Sequence, residues 1–229
     1  MRFNQLAWAG LLFYYKSAGD KRYSSVMRDS AFVQRLRTAP AEVSTKEFEE
    51  KAILGLINLE HYDLLLGRGL AEQLLSRMVE LSDLTAALSG LTLADCDLED
   101  SDTMLAINRL FDELFVEGLW ITGVSKLAHL LNEKLFPPLN PDIAQRFGIM
   151  SPASDLKPWL KSIQQELLEA FDDFRGQRLE GEPDTYLSQK LGYSSEGYTK
   201  PLVKFADEYY WLKHIDGLRL PPAWVPEFT

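Results

Sequence analysis

The chain has 229 residues and sets 24 Lys plus Arg against 34 Asp plus Glu, a formal net charge of -10. Such a surface repels nucleic acid and anionic lipid at long range, so binding either needs a local basic patch. A lone cysteine, Cys96, rules out an internal disulfide and a cysteine-based zinc cluster, and 46% apolar with 25% charged residues is an ordinary globular balance.

Helix follows helix along the chain. The first is expected at about 4–17, in "NQLAWAGLLFYYKS". Arg2 before an apolar run and "KSAGD" after it loosely match a cleaved targeting signal. Asn4, Gln5 and the aromatics Trp8, Phe13, Tyr14 and Tyr15 suit a buried first helix better, and the run is too short to span a bilayer. A cytoplasmic protein with no membrane contact is therefore expected. A second helix is predicted at about 29–38. "STKE" then carries a capping-box signature, with Ser44 as cap and Glu47 three residues on. The helix it opens, to about Leu66, is apolar on most sides and should be a central, largely buried one. "GRGL" breaks it, and a helix at about 70–81 follows. Residues 82–100 fit no single pattern and end in the acidic loop "LADCDLEDSD". Ser101 or Asp102 starts a helix with Met104, Ile107, Phe111 and Leu114 on one stripe.

In the C-terminal third, "SDLKPWLKSIQQELLEAFDDFRG" has Pro158 in its first turn and Gly176 just past its end. Pro183 starts a short helix that Gly192 stops, and "KPLVKFADEYYWLKHI" is a last helix. Its Asp207 and Glu208 could form a paired-carboxylate site with Lys204 nearby, but solvated charges are the simpler reading, and Tyr209, Tyr210 and Trp211, with Trp159 and Trp224, read as core. "GLRLPP" is at most a short edge strand. The tail "RLPPAWVPEFT" is too rich in proline for regular structure, and is expected to pack through Trp224 and Phe228. The expected fold is all-α, a multi-helix bundle of about eight to eleven helices forming a single domain over 1–229, with a candidate sub-boundary near 148–156. No cofactor motif is found, and His61 and His214 have no metal-ligand spacing.

The segment "WITGVSKLAHLLNEKLFPPLNPDIAQRFG", residues 120–148, carries the functional expectation. A helix from Val124 to Leu135, entered through a Gly-containing turn, would present the amides of Gly123, Val124 and Ser125 as an anion or phosphate site, with Lys126 beside them. His129 lies next to the apolar stripe, where a backbone carbonyl is its simplest partner. Asn140-Pro141-Asp142 reads as a cap, a first-turn proline and an acidic second residue, with Gly148 as the stop.

"ITGVSKLAHLL" and "LNPDIAQRFGI" resemble the hairpin and the following segment of helix-hairpin-helix DNA glycosylases. In that family the hairpin amides hold DNA phosphates, an aspartate of the second segment activates the nucleophile, and a lysine is the nucleophile of lyase-type members. The stretch is also similar to a loose group of uncharacterised helical bacterial proteins with Lys-x-x-His, Leu-Phe-Pro and Asp, matched here by Lys126, His129, Leu135, Phe136 and Pro137. The departures are specific. The second hairpin glycine is Ser125, the lysine position is Leu127 and the aspartate position is Asn140. Asparagine is no base at neutral pH, so base excision is not expected. The resemblance implies a catalytically inactive relative that binds nucleic acid or another phosphorylated ligand weakly through residues 122–126. The alternative is an all-helical module for a protein partner. An enzyme built on Lys126, His129 and Asp142 is a third class, for which the spacing supplies no argument.

Overall fold

A computed structural model of the chain describes residues 2–16, 18–57, 69–117, 119–151, 153–193 and 197–221. Among these the fold is all-α, with twelve α-helices, one 3-10 turn at Pro40–Glu42, one π-helical segment and no strand. The helices are α1 (Phe3–Lys16), α2 (Ala18–Arg28), α3 (Ser30–Thr38), α4 (Thr45–Phe48), α5 (Leu70–Glu80), α6 (Ser82–Leu88), α7 (Ser101–Leu114), α8 (Ile121–Leu131), α9 (Pro141–Arg146), α10 (Lys157–Gly176), α11 (Pro183–Lys190) and α12 (Leu202–His214). The count exceeds the expected eight to eleven because α2 occupies a stretch the sequence leaves unassigned and α6 falls in the ambiguous 82–100. Residues 217–221 of "GLRLPP" form no strand. His61, Trp224 and Phe228 lie outside the described residues.

Local chemistry sets several of the helix starts. Asp29 accepts from Phe32 N at 3.1 Å, Ser44 from Glu47 N at 3.2 Å and Asp100 from Thr103 N at 2.9 Å, each satisfying an amide with no partner inside its helix. Asn140 accepts from Asp142 N at 2.9 Å and Ile143 N at 3.3 Å, as expected of a cap. Gly148, at φ +68°, stops α9 in the left-handed region that favours glycine.

The helix opened by Ser44 differs from expectation. After Phe48 the chain continues as a π-helix, Glu49–Ile57, and the rest of the expected helix, 58–66, lies outside the described residues. The segment is amphipathic rather than buried all round. Phe48, Ala52, Ile53, Leu56 and Ile57 face the core, whereas Leu54 and the side chains of Lys46 and Glu50 are exposed. Gly55 lets α2 come close, since a Cβ there would lie 2.6 Å from Val26 Cγ2.

α1 packs on α12, α10 and α2. The π segment bridges α2 and α8, and α8 also packs on α7 and α3. One cluster of buried apolar side chains runs from Phe3 to Leu220, with Trp159, Phe111, Phe48 and Phe32 fully enclosed; Ile149 and Leu156, within the candidate sub-boundary, both belong to it. No helix among the described residues is long and apolar enough to cross a membrane.

Candidate functional site

The structure moves the start of the opening segment's first helix. α8 begins at Ile121, not Val124, and ends at Leu131. The amides of Gly123 and Val124 are therefore already bonded to Trp120 O, at 2.8 and 3.1 Å. Gly123, Val124 and Ser125 are all buried. The glycine is needed for packing, because a Cβ at Gly123 would meet Leu119 Cδ1 at 2.4 Å. Ser125 Oγ donates to Thr122 O and accepts from Leu139 N, both at 2.8 Å, and so ties the proline-rich bend to α8. The expected surface cradle of free amides at 123–125 is thus corrected to a packed helix start. Asp142 is exposed in the first turn of α9. Lys126 and Lys134 line different cavities.

Three of the candidate residues do come together. Lys126, His129 and Asn140 line one cavity of about 260 Å³ with Tyr23, Lys204 and Asp207, and Phe13, Leu56, Leu139 and Trp211 supply apolar wall. Arg22, at the exposed rim, adds a further cation. The cavity lies where α1, α2, the π segment, α8 and α12 meet, so it is assembled from both ends of the chain.

Its polar atoms have well-defined states. His129 is fully enclosed; its Nδ1 lies 2.5 Å from Phe136 O and its Nε2 2.8 Å from Tyr23 Oη. A carbonyl only accepts, so Nδ1 carries the proton and Nε2 accepts from Tyr23. Burial, with Lys204 and Arg37 adding to it against the Phe136 hydrogen bond, lowers the imidazole pKa to about 3. His129 is a neutral acceptor that holds Tyr23. Tyr23 has spent its one proton, so Tyr198, 2.8 Å away, donates to it. Burial raises the Tyr23 pKa well above the ordinary phenol value, so it stays protonated.

Lys126 Nζ donates to Ile57 O at 3.1 Å, and among the described residues no carboxylate is within ion-pair distance of it. Burial lowers its pKa; nearby Asp207 opposes that and Lys204 adds to it. Lys204 is already matched, with Asp207 Oδ2 at 2.6 Å and Glu208 at 3.4 Å. Behind it, Lys200 forms a fully buried ion pair with Glu208 and lies 3.1 Å from Tyr193 Oη. These α12 charges, expected in solvent, are internal. The reason is that α12 is buried over most of its surface, so Lys204 and Glu208 on it are enclosed and must pair. Tyr209 and Tyr210 are buried as expected, and Trp211 partly so.

Tyr23, Tyr198 and Phe13 carried no signal in the sequence. Lys204 and Asp207 did carry one, as an i,i+3 pair within an apolar helix. His214, at the far end of α12, stacks near Tyr210 at 5.3 Å rather than reaching the cavity. No group of three or more His, Cys, Asp or Glu side chains among the described residues is placed to hold a metal ion. No family model matches the chain, and no curated protein or solved structure matches it either.

Proposed function

We propose that this is a small-molecule-binding protein whose cavity takes a ligand bearing a carboxylate or phosphate group, with Lys126 as its anchor. The observation that carries this is the state of Lys126. A half-buried ammonium with one carbonyl as its hydrogen-bond partner is under-compensated, and an incoming anion supplies the missing charge. The apolar wall of Phe13, Leu56, Leu139 and Trp211 shields that contact from water and accepts the ligand's apolar body. Asn140 joins this site through its position at the bend, while its side-chain oxygen caps α9. The ligand belongs to the anion class implied for residues 122–126, but the contact is a side chain in a cavity rather than a row of amides on a surface. A duplex is far too large for that cavity, which favours a small molecule over nucleic acid.

Calorimetric titration with 4-methylpentanoate and with inorganic phosphate tests this reading. Saturable binding of at least one probe is expected. Lys126→Met should weaken it by about 1.5–3 kcal/mol, the scale of a hydrogen bond to a charged group, or roughly ten- to a hundredfold. Binding that is indifferent to Lys126→Met would contradict the proposal.

A further inference from the structure

The cavity has a second polar pole of opposite sign. Asp207 gives Oδ2 to Lys204 at 2.6 Å, whereas its Oδ1 makes no hydrogen bond among the described residues. Lys126 and Asp207 line the same space, and the carboxylate acts on the lysine through its charge, yet they are too far apart to form an ion pair. Lys126 retains two N–H donors beyond the one on Ile57 O. An open acceptor with a negative charge and an open donor with a positive charge thus face one cavity and do not satisfy each other.

We propose that the ligand is an α-amino acid with an apolar side chain, its carboxylate on Lys126, its ammonium on Asp207 Oδ1 and its side chain against Phe13 and Trp211. This rests on the carboxylate-binding reading above and names the class of carboxylate. A simple fatty acid would satisfy Lys126 but leave the Asp207 oxygen desolvated beside its hydrocarbon. A simple amine would satisfy Asp207 and add a third cation beside Lys126 and Lys204. Only a ligand carrying both charges a few bonds apart answers both poles. An ammonium suits Asp207 better than a hydroxyl, because hydrogen bonds between two charged groups are the stronger kind. A cavity of about 260 Å³ has room for a ligand as small as an amino acid. Sites built to hydrogen-bond a polar group discriminate strongly against the analogue that lacks it, since their own buried groups are then left unpaired.

Calorimetry on the full chain with L-leucine, 4-methylpentanoate and isopentylamine separates the possibilities, because the three share one branched body and differ only in charge. Leucine is expected to bind at least tenfold more tightly than 4-methylpentanoate, and isopentylamine not to saturate the site. In Asp207→Asn, checked for folding by circular dichroism, the preference for leucine should shrink to near one. If 4-methylpentanoate binds the unmodified protein as tightly as leucine, the amino-acid assignment is overturned while the carboxylate reading stands. If neither binds the folded protein, the amino-acid assignment is overturned, and the anchor reading falls with it when inorganic phosphate fails to bind as well.

Discussion

His129 Nε2 accepts the Tyr23 hydroxyl proton at 2.8 Å because His129 Nδ1 is committed to Phe136 O. That single tautomer sets the direction of the chain from Tyr198 through Tyr23 to His129, and the last two of these line the cavity. It also makes His129 a positioning residue and not a base, since a buried imidazole with a pKa of about 3 takes up no proton near neutrality.

A pH dependence of stability follows from the same residue. The folded pKa of about 3 lies below the ordinary 6.5. On acidification the unfolded chain therefore binds the proton first. The His129 contribution is complete above about pH 6.5 and is lost progressively as pH falls toward 3, at a slope approaching about 1.4 kcal/mol per pH unit. His129→Gln keeps a donor and an acceptor but cannot titrate. Urea unfolding at pH 7 and pH 4.5 should show a smaller loss on acidification for this variant than for the unmodified chain. Equal losses would contradict the assignment.

Asn140 caps α9 through two amide contacts. Asn140→Ala should cost on the order of 1 kcal/mol, and Asn140→Asp, which can also cap, should be tolerated. Thermal unfolding of the two variants checks this. Equal destabilisation by both would mean that the amide group has another role.

Gly123→Ala tests whether the glycine serves packing. An alanine is the better helix former by about 1 kcal/mol, but its Cβ must displace Leu119 from 2.4 Å, and such overpacking costs about 1–3 kcal/mol. A net loss in the urea midpoint is expected, with the affinity for 4-methylpentanoate little changed. A stabilised variant would contradict the packing role.

The buried pair of Lys200 and Glu208 should behave asymmetrically. Lys200→Met removes the nearer cation from the enclosed Glu208, leaving Lys204 at 3.4 Å, and should cost about 3 kcal/mol or more. Adding Glu208→Leu removes the stranded charge and should recover part of that loss. Unfolding free energies of the single and double variants decide it, and a double variant weaker than the single would contradict it.

What the sequence revealed was mostly local. The caps at Ser44 and Asn140 and the stop at Gly148 act within a few residues, so type and spacing suffice to find them. The start of α8 was hidden because Gly123 looks like a turn residue, whereas Leu119, four positions earlier, is what requires it. The charges of α12 looked solvated because the partners that enclose them come from the other end of the chain; Tyr23 and His129 are likewise 106 residues apart. Lys126 was singled out as a surface cation beside free amides. The anion-binding role is proposed for it again in another setting, a cavity with Phe13 and Trp211 in its wall, and that setting depends on how α1 and α12 pack.

The most direct measurement is the pKa of Lys126 itself, followed by NMR through its ε-carbon in the free and 4-methylpentanoate-bound protein. The account predicts a free value below the ordinary lysine value of about 10.4, because burial disfavours the cation. It predicts a rise on binding, because the ligand's carboxylate favours the cation, and correspondingly weaker binding as pH climbs through the free value. An ordinary pKa that the ligand leaves unmoved would contradict the claim that Lys126 is the anchor.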